Sequence, residues 1–262
     1  MSSFMASNKS KCRRLVGKSA IVTASTLGIG YAIAQRLLEE GAFVLISSRK
    51  QKNVDAAVKS LRARGLANVE GAVCHVCKAD HREALVQRAV SLWGRVDILV
   101  SNAAVQPAAG PTLDMSERAY DKIFSVNVKS YWQLVRDVRP HMPDGSAIVF
   151  VSSVAGYNPA PPLGLYGVSK TALIGLAKCL AVDLAVDNIR VNVLAPGLVK
   201  TKFASALWSD PDMEALNSER TWLNRLAEPD EMSGAVAFLC SSDSSYMTGE
   251  TMLVTGGMPA RL

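Results

Sequence analysis

Short β-branched runs, each followed by a segment whose apolar residues recur at helical spacing, repeat along nearly the whole chain. Each repeat reads as a strand and then a helix. Residues 20–23 form the first run; Ile29, Ile33 and Leu37 then recur until Gly41 ends the helix. Residues 43–47 and 69–74 repeat the strand, and 54–64 and 81–93 repeat the helix. Further strands are expected at 97–101, 147–152, 189–194 and 250–254, with helices at 116–139, 166–187 and 231–240. Such alternation predicts an α/β fold, one doubly wound parallel sheet with helices on both faces. Residues 198–229, which include Trp208, Pro211 and Trp222, have no clear period and read as a partly helical excursion over the site.

Nothing in the chain marks an internal linker or a low-complexity tract. Its 262 residues therefore read as one domain, 17–259, after a basic tail, 1–16. Lysine and arginine total 29 against 23 acids, but residues 1–18 hold five of the bases and no acid. The remaining body carries 24 bases and 23 acids, too even a balance to attract a polyanion. No nucleic-acid partner is expected. Polar residues or prolines interrupt every apolar run before the ~18 consecutive residues of a membrane span, so a soluble domain is expected. The N-terminus lacks the apolar core of a secretory signal, and its basic character leaves a mitochondrial presequence as one alternative. Five cysteines, an odd and sparse set, suit a reducing compartment and free thiols. Cys74 and Cys77 form one C-x-x-C, which lacks the second pair or the histidines that would hold zinc. No metal is expected.

Three clusters carry chemistry. The turn after the first run is Thr23-Ala24-Ser25-Thr26-Leu27-Gly28-Ile29-Gly30, where glycines let backbone amides approach a pyrophosphate at a helix N-terminus. A plain strand-to-helix turn would use the same residues. The second cluster, Asn102-Ala103-Ala104, follows the strand at 97–101, where small residues suit a backbone lying close to a ribose; an ordinary small-residue turn reads the same way. In the third, Tyr166 and Lys170 share one helix face and Ser153 stands thirteen residues upstream. A fixed ammonium beside a phenol that titrates near ~10 makes it a usable acid, and a serine hydroxyl can steady a carbonyl oxygen. A solvated helix face also holds such pairs.

Taken in order and spacing, Thr23 to Gly30, Asn102 to Ala104, Asn127, Ser153, Tyr166, Lys170, Pro196-Gly197 and Thr201 resemble the short-chain dehydrogenase/reductase family. The resemblance covers residue 17 to the end. Residues 47–55, 166–173 and 246–250 look like its peroxisomal carbonyl-reductase branch, plant members included. The family resemblance implies a Rossmann-type oxidoreductase in which Tyr166 is the general acid. It implies that Lys170 binds the nicotinamide ribose and lowers the tyrosine pKa, that Ser153 orients the carbonyl, and that Asn127 holds a water linking Lys170 to solvent. Thr23, Ser25, Thr26, Gly28, Ile29 and Gly30 would cradle the cofactor, with Asn102 and Ala103 on its adenosine side. Pro196, Gly197, Val199 and Thr201 would line the nicotinamide carboxamide. Two positions depart from the pattern. Ala24 replaces the first glycine of the turn, as in the related branch, and His75 replaces an aspartate that contacts adenine. His75 and Val76 would then meet the ring through their backbone.

Cofactor choice follows from charge. An acid at the end of the second strand accepts the NAD ribose, whereas a base accommodates the 2′-phosphate of NADP. Ser48, Arg49 and Lys50 stand there with no acid before Asp55, so NADPH is expected. The function expected is NADPH-dependent reduction of ketones, aldehydes or dicarbonyls. A 3-hydroxyacyl-CoA dehydrogenase of β-oxidation and a non-catalytic dinucleotide sensor are the alternatives. Ser153, Val154, Tyr157, Phe203, Leu207 and Trp208 are expected to meet a small hydrophobic carbonyl substrate. The family resemblance also implies a homotetramer. The last residues, Ala260-Arg261-Leu262, match the small-basic-leucine form of a peroxisomal import signal, and the related branch ends in Ser-Arg-Leu. A peroxisomal import receptor is thus an expected partner; cytoplasmic or mitochondrial placement is the alternative.

Overall fold

The computed structural model describes residues 13–260. Most of the basic tail, Cys12, and the Arg261 and Leu262 of the terminal tripeptide lie outside the described residues. The strands are β1 (Ser19–Val22), β2 (Phe43–Ser48), β3 (Val69–Val73), β4 (Ile98–Ser101), β5 (Ala147–Val151), β6 (Arg190–Pro196) and β7 (Thr251–Val254). They form one seven-stranded sheet in the order β3-β2-β1-β4-β5-β6-β7, and every pairing is parallel. The helices are α1 (Gly28–Glu39), α2 (Gln51–Ala63), α3 (Ala79–Trp93), α4 (Glu117–Phe124), α5 (Ser130–Val138), α6 (Gly164–Leu184), α7 (Pro211–Ser218) and α8 (Pro229–Cys240).

The central strands β1, β4 and β5 are buried along their whole length because helices cover both of their faces. On one face α3, α5 and α6 pack Leu85, Leu134 and Leu173 against Phe150, whose ring meets Tyr131 edge-on at 5.2 Å. On the other, α1, α2 and α8 bring Ile33, Leu37, Leu61 and Val236 against Val22, Val44 and Val149. Such side chains are fully buried, and truncating one, as in Leu37→Ala, costs about 2–5 kcal/mol. The N-terminal end is tied down by Arg14, which bridges Glu40 (2.5 Å) and Asp243 (3.0 Å).

The helical stretch expected over 116–139 is present, with one local irregularity. It is two helices, α4 and α5, joined by a π turn at Ser125–Lys129 in which Ser130 N donates to Ser125 O. The apolar periodicity runs through the turn, so one inserted residue leaves little trace in the pattern. By length and composition residues 164–187 would also suffice to cross a membrane, although polar residues interrupt their apolar run. That segment packs as a core helix instead, with Tyr166, Lys170, Leu173 and Ala177 buried on the sheet.

The excursion leaves and re-enters the fold through a paired neck. Val199 and Ala227 form a parallel bridge, with Lys200 N donating to Ala227 O at 2.9 Å and Ala227 N to Leu198 O at 3.0 Å. Beyond the neck lie a 3-10 helix at Lys202–Leu207 and then α7. Lys200 pairs with Glu214 of α7 at 2.5 Å.

Candidate active site

Because all strands run in one direction, their carboxyl ends deliver the expected site segments to one edge of the sheet, where ligands of open α/β sheets bind. The turn after β1 reaches α1 through two left-handed positions, Ala24 (φ 50°) and Gly28 (φ 59°). Leu27, the residue capping α1, offers no side-chain acceptor, and the first turn holds no acid. The amides of that turn are therefore open to an anion. A Cβ on Gly28 would stand 3.3 Å from Thr201 Cγ2, so the root of the excursion lies against the glycine turn. Asn102 binds the turn from β4: its N–H donates to Thr23 Oγ1 at 3.0 Å, and Nδ2 to Thr23 O at 3.2 Å and Ala24 O at 3.0 Å.

Two residues of the expected cofactor turn point their side chains into the fold. Thr23 and Ser25 are fully buried. The Thr23 hydroxyl accepts from Asn102, while the Ser25 hydroxyl donates to Val22 O at 2.6 Å and accepts from Ser47 N at 3.0 Å. Their hydroxyls hold the turn against β2 and β4, which leaves only backbone for a ligand. Ser48 ends β2 half-buried, and the adjoining Arg49 and Lys50 are exposed. His75 Nδ1 accepts from Cys77 N at 3.3 Å. Burial lowers the His75 pKa, and the positive charges of Lys122, Arg49 and Lys78 lower it further. Val76 is buried and its carbonyl accepts from Arg82 at 2.9 Å. Cys74, Cys77, Cys179 and Cys240 are free thiols, and among the described residues no three metal-binding side chains gather.

Pro196 and Gly197 close β6. Gly197 N donates to Val254 O at 2.9 Å, and a Cβ there would stand 2.8 Å from Thr255 Cα, so β7 closes over this turn. The Thr201 hydroxyl accepts from Ala204 N at 3.2 Å, capping the 3-10 helix.

The structure brings Ser153, Tyr166, Lys170 and Asn127 together. Ser153 follows β5; Tyr166 and Lys170 sit one turn apart in α6. Lys170 is 1% exposed, and its ammonium donates to Val151 O at 2.8 Å. It stands 5.6 Å from the Tyr166 ring centre and 5.7 Å from that of Tyr131, within reach of both ring faces. Burial pushes the Tyr166 phenol up to about 12 and the Lys170 ammonium down to about 7. The expected lowering of the tyrosine by the lysine is not what acts here: burial raises the phenol, and a hydrogen bond with Ser153 pulls it back down.

Asn127 lies in the π turn, fully buried. Its Oδ1 accepts from Val105 N at 2.8 Å, and Nδ2 donates to Val105 O at 3.1 Å and Ser169 Oγ at 3.0 Å. Both amide protons are used, so only acceptor capacity is left for a water. Ser169, Tyr131 and the Val105 backbone are the parts the sequence reading missed. Ser169 stands inside the Tyr166–Lys170 segment, but nothing in the spacing distinguishes it from an ordinary helix position.

Among the expected substrate residues, Phe203 stands with its ring centre 5.9 Å from that of Tyr166, and it is 56% exposed. Val154 is buried beside Ser153. Tyr157, Leu207 and Trp208 are half-buried, and the Trp208 indole N–H is committed to Thr201 O at 2.9 Å.

Comparison with known proteins agrees with this geometry. The family model described as enoyl-(acyl carrier protein) reductase matches residues 23–259. A rabbit (Oryctolagus cuniculus) protein named dehydrogenase/reductase SDR family member 4 is 54% identical over 95% of this chain and 96% of its own. An Arabidopsis thaliana protein named short-chain dehydrogenase/reductase SDRA is 50% identical, over 95% and 98%. A crystal structure of a Burkholderia cenocepacia short-chain dehydrogenase in complex with NADP superposes with a TM-score of 0.85 at 30% identity, covering 94% of this chain and 99% of that one. The chain belongs to the short-chain dehydrogenase/reductase family and is an oxidoreductase of the nicotinamide-dinucleotide class.

Proposed function

We propose that the protein reduces ketones, aldehydes or dicarbonyls with NADPH, and that the assembly of Ser153, Tyr166 and Lys170 carries the chemistry. The cofactor would lie along the strand ends, its pyrophosphate on the uncapped amides of α1 and its 2′-phosphate on Arg49 and Lys50. Both bases are exposed at the end of β2, and the Burkholderia relative is an NADP complex. The bound dinucleotide supplies the hydride. Ser153 donates to the carbonyl oxygen and holds it toward Tyr166, whose phenol stays protonated and delivers the proton. Lys170, fixed by Val151 O, places positive charge beside the phenol as its proton leaves, which lowers the barrier where negative charge develops. Asn127 offers an acceptor for the water that returns a proton through Lys170.

Phe203, Val154, Tyr157, Leu207 and Trp208 support an apolar or aromatic substrate. Kinetics with a panel of aromatic and small hydrophilic carbonyls and 3-ketoacyl-CoA esters, using NADPH and NADH, tests the reading. NADPH-dependent turnover of aromatic ketones is expected. Equal Michaelis constants for the two nucleotides overturn the cofactor assignment, faster reduction of 3-ketoacyl-CoA esters favours the β-oxidation alternative, and no turnover favours the sensor.

We also propose a homotetramer. The exposed face of α6 carries Val168, Cys179 and Val182, Val186 follows in the 3-10 turn after it, and Trp132 and Tyr120 are exposed on α5 and α4, apolar surface suited to burial between copies. A monomer by light scattering refutes this. Peroxisomal import through Ala260-Arg261-Leu262 is proposed on the tripeptide's chemistry. Ala260 is 7% exposed, so a receptor would have to draw it out of the fold. An N-terminal fluorescent fusion should be punctate and a C-terminal one cytosolic; mitochondrial staining, or puncta from both, overturns the proposal.

A further inference from the structure

Three hydroxyls brace the turn of α6 that carries Tyr166 and Lys170. Ser152 donates to Lys170 O at 2.8 Å, Thr171 to Gly156 O at 2.5 Å, and Ser169 to Tyr166 O at 2.6 Å. The first two tie the helix to the segment after β5. Ser169 differs, because its oxygen also accepts from Asn127 Nδ2 at 3.0 Å. The donation to Tyr166 O fixes the hydroxyl proton, which turns the oxygen's lone pairs toward Asn127. Ser169 and Asn127 are both fully buried, so water cannot replace either partner. The Asn127 amide in turn grips Val105 through both its N–H and its carbonyl, as a neighbouring strand would. Flipping that amide would set donor against donor and acceptor against acceptor. One continuous chain of hydrogen bonds thus runs from the carbonyl of Tyr166 through Ser169 and Asn127 to the segment following Asn102 and Ala103.

We propose that Ser169 is a positioning residue that locks the Asn127 amide and so registers the catalytic turn of α6 against the cofactor-side loop at 102–105. The proposal rests on the catalytic reading of Tyr166 given above, and it has a readout that does not depend on that reading. In hydrogen-exchange mass spectrometry, peptides spanning residues 103–108 should exchange faster in Ser169→Ala than in wild type, because the Val105 N–H loses its fixed acceptor. Peptides from α2, remote from the lock, should not change. In steady-state kinetics the same variant should lose roughly 10- to 100-fold in kcat, as misplaced reacting groups do, while KM for NADPH stays within about twofold. Ser169→Thr, which keeps the hydroxyl, should restore both readouts. Ser169→Ala combined with Asn127→Ala should be no slower than Asn127→Ala alone, since the two act through one link.

Unchanged exchange at 103–108 overturns the lock whatever the kinetics show. Faster exchange with wild-type kcat, or additive losses in the double variant, overturns its positioning role. If Ser169→Ala does not fold, Ser169→Cys gives the same comparison with a weaker donor of similar size. Should Tyr166→Phe keep near-normal turnover, the catalytic reading fails, and the exchange experiment still decides whether Ser169 holds Asn127.

Discussion

Gly30 and Asn102 leave no room for a side chain between them: a Cβ on Gly30 would stand 2.4 Å from Asn102 Nδ2 and 2.6 Å from Ala24 O. The first turn of α1 is therefore pressed onto the amide that staples the cofactor turn to β4. Gly30→Ala should push Asn102 off Thr23 and Ala24, destabilise the fold by about 1–3 kcal/mol as overpacking does, and weaken NADPH binding roughly tenfold or more. Thermal unfolding and fluorescence titration measure the two effects. Wild-type values for both would mean that the turn relaxes without loss.

Tyr166→Phe keeps the ring against Phe203 and Lys170 and removes the acid. Turnover should fall at least ~100-fold, the low end for a positioned proton donor, with NADPH affinity close to wild type. Near-normal turnover would remove Tyr166 from its role.

Arg49→Ala should weaken NADPH binding about 10- to 100-fold, the loss of a charge-assisted contact to phosphate, and leave NADH binding unchanged. Direct binding titrations of both nucleotides separate this from any effect on turnover. Equal losses for the two would show that Arg49 serves the fold and not the phosphate.

Burial lowers the Lys170 pKa from 10.5 to about 7. Between those values the unfolded chain binds a proton that the folded protein does not, so folding stability rises with pH across the window, by up to ~1.4 kcal/mol per pH unit. Below the window the folded state carries a buried charge. Lys170→Met abolishes the term. Urea unfolding at pH 7 and pH 9 should therefore show wild type gaining on Lys170→Met as pH rises, and parallel behaviour of the two proteins would refute the buried ammonium.

The strands were legible because a parallel sheet buried on both faces leaves unbroken apolar runs, as at Leu99, Val100, Ile148 and Val149. Tyr166, Lys170 and Ser153 were legible through their order and spacing together with the other motifs, because a tyrosine and a lysine one helical turn apart fit a solvated face just as well. The π turn was not, since Ile123, Val126 and Tyr131 continue an apolar face across it. Nor was the inward turn of Thr23 and Ser25: sequence shows that a hydroxyl is present, and only the neighbouring strands decide whether it faces a ligand or a carbonyl. Ser169 was hidden for the same reason, its partner Asn127 lying 42 residues away.

The bridge between Val199 and Ala227 makes the two ends of the excursion neighbours before the chain departs over the site. Everything between them is then an insertion hung from a closed ring, and its length does not enter the spacing of β6, β7 or α8. Segments of different size and polarity can be grafted across that junction while Pro196 and Gly197 keep their places, so substrate selectivity can be exchanged independently of the residues at the strand ends.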